Sequence, residues 1–270
     1  MVTLSKPTAV ELAARPAVVS TEPLEIRHIG RADLVDALRQ GLADFNASPT
    51  HAIFLCLIYP VVGLLLARAT FSYGLVPLLF PAITGFALLG PFAAIGLYEI
   101  SRLRELGQPV TWRNALGVIH AKSFLAILML GAVLAGVFGV WMFTADAIYS
   151  AYFGDAAPRA LGALAAQILT TRAGWEMMIL GDVVGALFAI VAFAISVVSF
   201  PLLIDRNTDA ATAVATSLRA VTANPLAMVQ WGLIVAVALV LGSIPLLVGL
   251  AVVMPVLGHA TWHLYRKMVV

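Results

Sequence analysis

Six long apolar stretches dominate this chain, at about 51–69, 75–99, 122–145, 177–204, 226–242 and 245–265. Each is close to, or beyond, the roughly 20 residues a helix needs to cross a hydrocarbon core of about 30 Å. Few folds accept such runs. In lipid every backbone N–H and C=O must be satisfied internally, which leaves helices and closed barrels. Barrel strands alternate apolar and polar residues over about ten positions, and these runs do not alternate. The expected fold class is therefore all-α integral membrane with six transmembrane helices. Composition agrees: 61% hydrophobic and only 11% charged residues leave more apolar surface than a water-facing globule can bury.

The last two stretches are almost continuous. One helix over both would be about 60 Å long, twice the membrane core. "GSIP", Gly242 to Pro245, supplies a break, because Gly and Pro punctuate helices and the residue before Pro is biased out of helical geometry. Residues 1–22 carry two prolines and no sustained period, so a mobile tail is expected, without a signal peptide. Residues 23–270 then form a single six-span domain. Cys56, the one cysteine, lies in the first apolar stretch and cannot build a disulfide or a cysteine metal cluster alone.

Charge sets the orientation. With both termini inside, thirteen of the sixteen Lys and Arg residues fall on the cytoplasmic side, and only Arg68, Arg159 and Arg172 fall outside. Basic residues favour the cytoplasmic side, so the expectation is a multi-pass inner-membrane protein with both ends cytoplasmic.

A threefold pattern underlies the spans. Short amphipathic stretches precede spans one, three and five. "RADLVDALRQGLADF" aligns Leu34, Leu38, Leu42 and Phe45, with Asp36, Arg39, Gln40 and Asp44 elsewhere. "VTWRNALGVIH" aligns Trp112, Leu116 and Ile119, and "TDAATAVATSLRAVTANP" aligns Val214, Leu218 and Val221. Each reads as a helix in the cytoplasmic interface, beside the ordinary reading as a loop helix. The even spans also end alike. "PFAAIGLYEISR" (Pro91 to Arg102) and "PVLGHATWHLYR" (Pro255 to Arg266) share Pro, an aromatic seven residues on, an ionisable residue next, and Arg eleven after the Pro; "PLLIDR" is a shorter version. Three hairpin units are expected, at roughly 31–104, 110–206 and 208–267.

"SFPLLIDR" and the closing GHATWHLYRK-type motif resemble an uncharacterised family of bacterial integral membrane proteins, a domain of unknown function, over about residues 25–268. Members are often labelled similar to cytochrome c oxidase subunit I. A haem-copper core needs several histidines deep in its spans. His28, His51, His120, His259 and His263 do not supply them, since none sits mid-stretch. A catalytic oxidase subunit is excluded, which leaves room for an accessory one.

Five polar residues stand out as candidates. His259 and His263 share a helix face at i, i+4, a spacing that can offer two ligands to a metal, though without an intervening general base. The plainer reading is a polar helix end, with Trp262 and Tyr265 in the aromatic belt and Arg266 and Lys267 snorkelling to headgroups. Glu99, Asp205 and His263 occupy matching span ends, where pairing with Arg102, Arg206 and Arg266 would make either a ring of caps or a proton entrance. Asp182 sits in span four or at its outer edge, between Gly181 and Gly185 in a GxxxG pattern. It reads as one half of a structural ion pair, with Arg68 or Arg172 as partner, beside a proton-coupled role. "GAVLAGVFG" reads as helix packing. The outside segment 146–176 holds a short helix with Leu161, Leu164 and Ile168 on one face, which could rest on the outer membrane surface, cover the bundle or touch a partner.

No phosphate loop, cysteine cluster or nucleophile–base motif is present, so an enzyme is not expected, and no cofactor. The basic residues follow topology instead of forming a nucleic-acid patch. The expected function is a non-catalytic accessory or scaffolding subunit of a respiratory or other energy-converting complex, with the lipid bilayer and other membrane subunits as partners. The alternative is a small proton-coupled transporter or channel, and a metal- or haem-binding protein stands third.

Overall fold

The computed structural model describes residues 24–48, 75–111, 116–154, 160–206, 208–245 and 248–270, with part of 61–70. The calls on the tail 1–22, on Cys56, on His51 and on most of span one lie outside the described residues, as do Trp112 and the His120 side chain.

The described chain is helical, with a single antiparallel bridge between Ile26 and Val269. Helix α1 is Arg31–Ala47. Helix α2, Val76–Glu105, is a succession of α and 3-10 turns. Then follow α3 (Phe124–Phe153), α4 (Leu161–Thr170), α5 (Arg172–Ser196), α6 (Ser199–Asp205), α7 (Ala210–Ala223), α8 (Pro225–Ser243) and α9 (Leu250–Met268). Among the described residues four helical stretches are long and apolar enough to cross a membrane: α2, α3, α5 with α6, and α8. α9 occupies the place of the sixth expected span, but its second half is polar and buried in protein. The break before α9 falls at the expected "GSIP", although the next helix begins only at Leu250. Gly249 backs onto Gly242 there, which no side chain at 249 would allow.

Local chemistry explains the ends. Asp33 accepts from the Gly30 N–H at the start of α1, Asp209 caps α7 by accepting from the Thr212 N–H, and Pro225 opens α8 at a position needing no N–H donor. The break between α5 and α6 has a specific cause. In an unbroken helix Val198 N–H would bond to the Ala194 carbonyl. The Ser217 hydroxyl of α7 stands between them, donating to Ala194 O at 2.7 Å and accepting from Val198 N at 3.2 Å. A side chain inserted into the helical ladder bends it, and Pro201 removes a further bond one turn on. Ser217→Ala should cost about 1–3 kcal/mol by leaving these buried groups unpaired, read as thermal stability in detergent. A variant as stable as the parent would mean that the two backbone groups close on each other directly.

The bundle packs through glycines set against aromatics. Gly85 and Gly185 both face Trp141, and Gly131 faces Phe92. The Trp141 ring stacks obliquely on Phe188 at 5.6 Å, and its N–H donates to the Pro81 carbonyl. Half of the expected GxxxG contact is therefore made: Gly185 is packed while Gly181 has nothing near it, and in "GAVLAGVFG" only Gly131 is filled. At the far end, α4 folds back as a cap. Leu164 packs with Val76 and Tyr149, and Ile168 joins them. Leu161, expected on the same face, is half exposed.

The amphipathic stretches differ from expectation in which face they bury. α1 runs lengthwise and antiparallel along the second half of α9, so its inner face meets protein instead of lying free in an interface. That face is Leu34, Ala37, Gly41 and Asp44, while Leu42 is exposed. On α7 the buried residues are Ala213, Thr216, Ser217 and Ala220, and Leu218 is exposed. In both cases close helix approach selected small side chains over large ones. The described part of the second stretch is a 3-10 turn, Leu116–His120, instead of an α-helix.

Candidate functional site

The polar chemistry gathers where α1, α2, α6 and α9 meet, at the end of the bundle that holds residues 26 and 269. Gly41 makes this possible. A Cβ there would lie 2.6 Å from the Ala260 backbone nitrogen, so α1 and α9 approach to backbone contact. On the other side of α9, Gly258 receives Leu97 of α2 in the same way. His259 is thereby enclosed between two helices and is fully buried.

Asp44 is the centre. It is 6% exposed although the sequence pattern placed it on the polar side of α1. Its carboxylate accepts from Ser101 Oγ at 2.6 Å, Arg104 Nε at 2.8 Å and His263 Nε2 at 2.8 Å. Burial alone would raise its pKa, but these hydrogen bonds and the charge beside it win, holding it down at about 2. Ser101 Oγ also lies 2.8 Å from His259 Nδ1. Since the hydroxyl proton goes to Asp44, His259 donates from Nδ1 to Ser101, which leaves Nε2 as the bare nitrogen. That Nε2 is buried, with no hydrogen-bond partner among the described residues. A continuous chain thus runs His263–Asp44–Ser101–His259. An open cleft of about 420 Å³ reaches Asp44, Ser101 and His263 from the aqueous side.

Around this chain, ion pairs lock the helices. Asp205 of α6 accepts from Tyr265 OH at 2.7 Å and Arg266 Nη1 at 3.2 Å. Glu105 accepts from Trp262 Nε1 and Arg266 Nε. Asp36 accepts from Lys267 Nζ and Gln40 Nε2 at 2.6 Å each, and the lysine holds its pKa below the usual value. Asn224 pins the segment before α1, donating to the Arg27 carbonyl and accepting from the Ile29 N–H.

Several sequence readings change here. Trp262 and Tyr265 are core residues bonded to carboxylates, not an aromatic belt. Arg266 and Lys267 are ion-paired within the protein instead of reaching for headgroups. His259 and His263 turn to different partners and do not converge on one point, and among the described residues no three His, Cys, Asp or Glu side chains gather as a metal set. Glu99 pairs with Arg102 one turn on at 3.1 Å, and Asp205 with both Arg206 and Arg266. His263 leaves that ring for Asp44.

Asp182 stands apart from all of this. It is exposed and meets no ion-pair partner among the described residues; Arg172 pairs instead with Glu176, and Arg68 makes no pair with it. Its depth follows from the antiparallel packing of α3 and α5. Trp141 opposes Gly185 and Phe188, which brings Asp146 and Asp182 to about one level. From there to Asp205 the chain has 22 uncharged residues, roughly 33 Å if helical. That is a whole hydrocarbon core, so Asp182 marks its rim instead of its middle.

Pattern reading missed Asp44, Ser101, Arg104 and Glu105. Asp44 does carry a signal: Leu34, Ala37, Gly41 and Asp44 follow at helical spacing, and the small pair within that stripe marks the contact face. Ser101 carries none.

No curated protein and no solved structure matches the chain. Residues 78–205, from α2 through α6, match the family model described as predicted integral membrane protein (DUF2189).

Proposed function

We propose that this protein is a non-catalytic accessory or scaffolding subunit of a larger membrane assembly. The observation that carries the reading is the outward face of α3. Gly136 and Gly139 are exposed, and a side chain at either would meet nothing among the described residues. Glycine weakens a helix interior by about 1 kcal/mol relative to alanine, and none of the described residues uses the space it leaves. In membranes such small-residue faces let a second helix approach closely. The locked ion pairs around α9 suit a rigid scaffold, and the pairing of Ile26 with Val269 supports an even number of spans with both ends on the cytoplasmic side. Gentle extraction and native mass measurement should find the chain in heavier complexes, and Gly136→Leu should release it as a monomer with its thermal stability intact. A lone monomer from the parent protein would sink the proposal.

A second reading has its own support. The chain His263–Asp44–Ser101–His259, open to water at one end and ending on a bare buried nitrogen, is the arrangement a proton-coupled carrier needs at its entrance. In proteoliposomes carrying a pH gradient, His259→Ala should abolish protein-dependent proton flux. Equal flux in parent and variant would remove this alternative.

A further inference from the structure

A second cleft, of about 360 Å³, opens where the start of α3 meets the start of α7. We propose that it binds the headgroup of a phosphoethanolamine lipid. Its lining combines one cation, one anion, two hydroxyls and an apolar wall. Lys122 supplies the cation, and among the described residues it has no carboxylate within ion-pair distance. Asp209 supplies the anion. Its two oxygens each accept once, from the Thr212 N–H and hydroxyl, so each keeps a lone-pair direction open. Those two bonds also hold its pKa below the usual value. Ser123 and Thr208 add the hydroxyls.

The position fits a lipid. Lys122 is the charge that ends the apolar run of α3, and 23 uncharged residues separate it from Asp146. Below it, Leu125 and Met129 line the same cleft and are 65% and 56% exposed. They lie at helical spacing, so the wall descends about 10 Å from Lys122, most of the way through a leaflet of about 15 Å. An acyl chain lying along Leu125 and Met129 would place its phosphate beside Lys122 and the two hydroxyls.

The headgroup class follows from charge. A phosphate beside Lys122 and an ammonium beside Asp209 complement two groups that have no ionic partner among the described residues. A phosphocholine ammonium carries no N–H to donate to Asp209. A phosphoglycerol headgroup would bring a hydroxylated tail to that carboxylate, with no cation to match it.

The test is lipid retention by the full chain, extracted from bilayers of equal parts phosphatidylethanolamine, phosphatidylglycerol and phosphatidylcholine, and read by native mass spectrometry. Phosphatidylethanolamine should be retained over the other two. Lys122→Gln should lower that retention roughly fivefold, the size of one basic contact at a membrane surface. Asp209→Asn preserves the helix cap, since Asn and Asp cap equally well, and should shift preference toward phosphatidylglycerol. Thermal stability of both variants, measured in parallel, reports folding. Preference for phosphatidylglycerol or phosphatidylcholine in the parent protein, or unchanged selectivity in two well-folded variants, would overturn the proposal.

Discussion

Asp44→Asn should destabilise the protein by about 3 kcal/mol, the lower end of the cost of breaking a buried charge pair. Arg104, its partner, is about a third exposed and recovers some solvation, which keeps the figure at that end. Three donors point at the Asp44 carboxylate, from Ser101, Arg104 and His263. An amide presents its own donor to at least one of them. The loss corresponds to roughly 10 °C in thermal midpoint for a chain of this size.

The same residue dictates an acid dependence. Its pKa is about 2 in the folded protein against an ordinary 3.8. A carboxylate held down by folding stabilises the native state at all pH above its unfolded value, and that contribution fades as pH falls through the folded one. About 2 kcal/mol should therefore disappear between pH 4 and pH 2. Denaturation in detergent across that window, compared with Asp44→Asn, isolates the effect. If the variant loses as much as the parent, another group is responsible.

Gly41→Ala should be the other severe change, against the direction helix propensity predicts. Alanine favours a helix over glycine by about 1 kcal/mol. Here its methyl would sit 2.6 Å from the Ala260 backbone nitrogen and 2.8 Å from its Cα. Backbone cannot swing aside as a flexible side chain can, so α1 must move off α9. Overpacking of this kind costs about 1–3 kcal/mol. The movement would also lengthen the Asp44–His263 and Asp36–Lys267 contacts together. Thermal stability checks the first consequence, and the acid window checks the second, because a displaced Asp44 should titrate nearer its ordinary value. Gly136→Ala makes the contrast: no described residue lies within 4 Å of a methyl there, so the isolated chain should gain stability. A loss at Gly136 equal to that at Gly41 would show that the effect at Gly41 is not steric.

The length and composition of the apolar runs determined the class of this protein. A backbone in lipid has to satisfy itself, and runs of about 20 uncharged residues permit little besides helices. The break at Gly242–Pro245 and the capping helix Leu161–Thr170 were legible for similarly local reasons, since turn chemistry and periodicity act between residues near in sequence. The polar centre was not legible in that way. Asp44, Ser101 and His259 are separated by 57 and 158 residues along the chain, and no spacing rule links them. The motif that carries His259 and His263 suggested a ligand pair or a membrane-edge cap, and tertiary packing set His263 against Asp44 and His259 against Ser101. Gly41 and Gly258 let two helices close on α9 from opposite sides, so its aromatic and basic residues met carboxylates instead of lipid headgroups. Asp182, equally conspicuous in the sequence, was placed at the rim of the hydrocarbon core by the antiparallel register of α3 and α5. Pattern identified the polar residues, and helix approach decided which of them could touch.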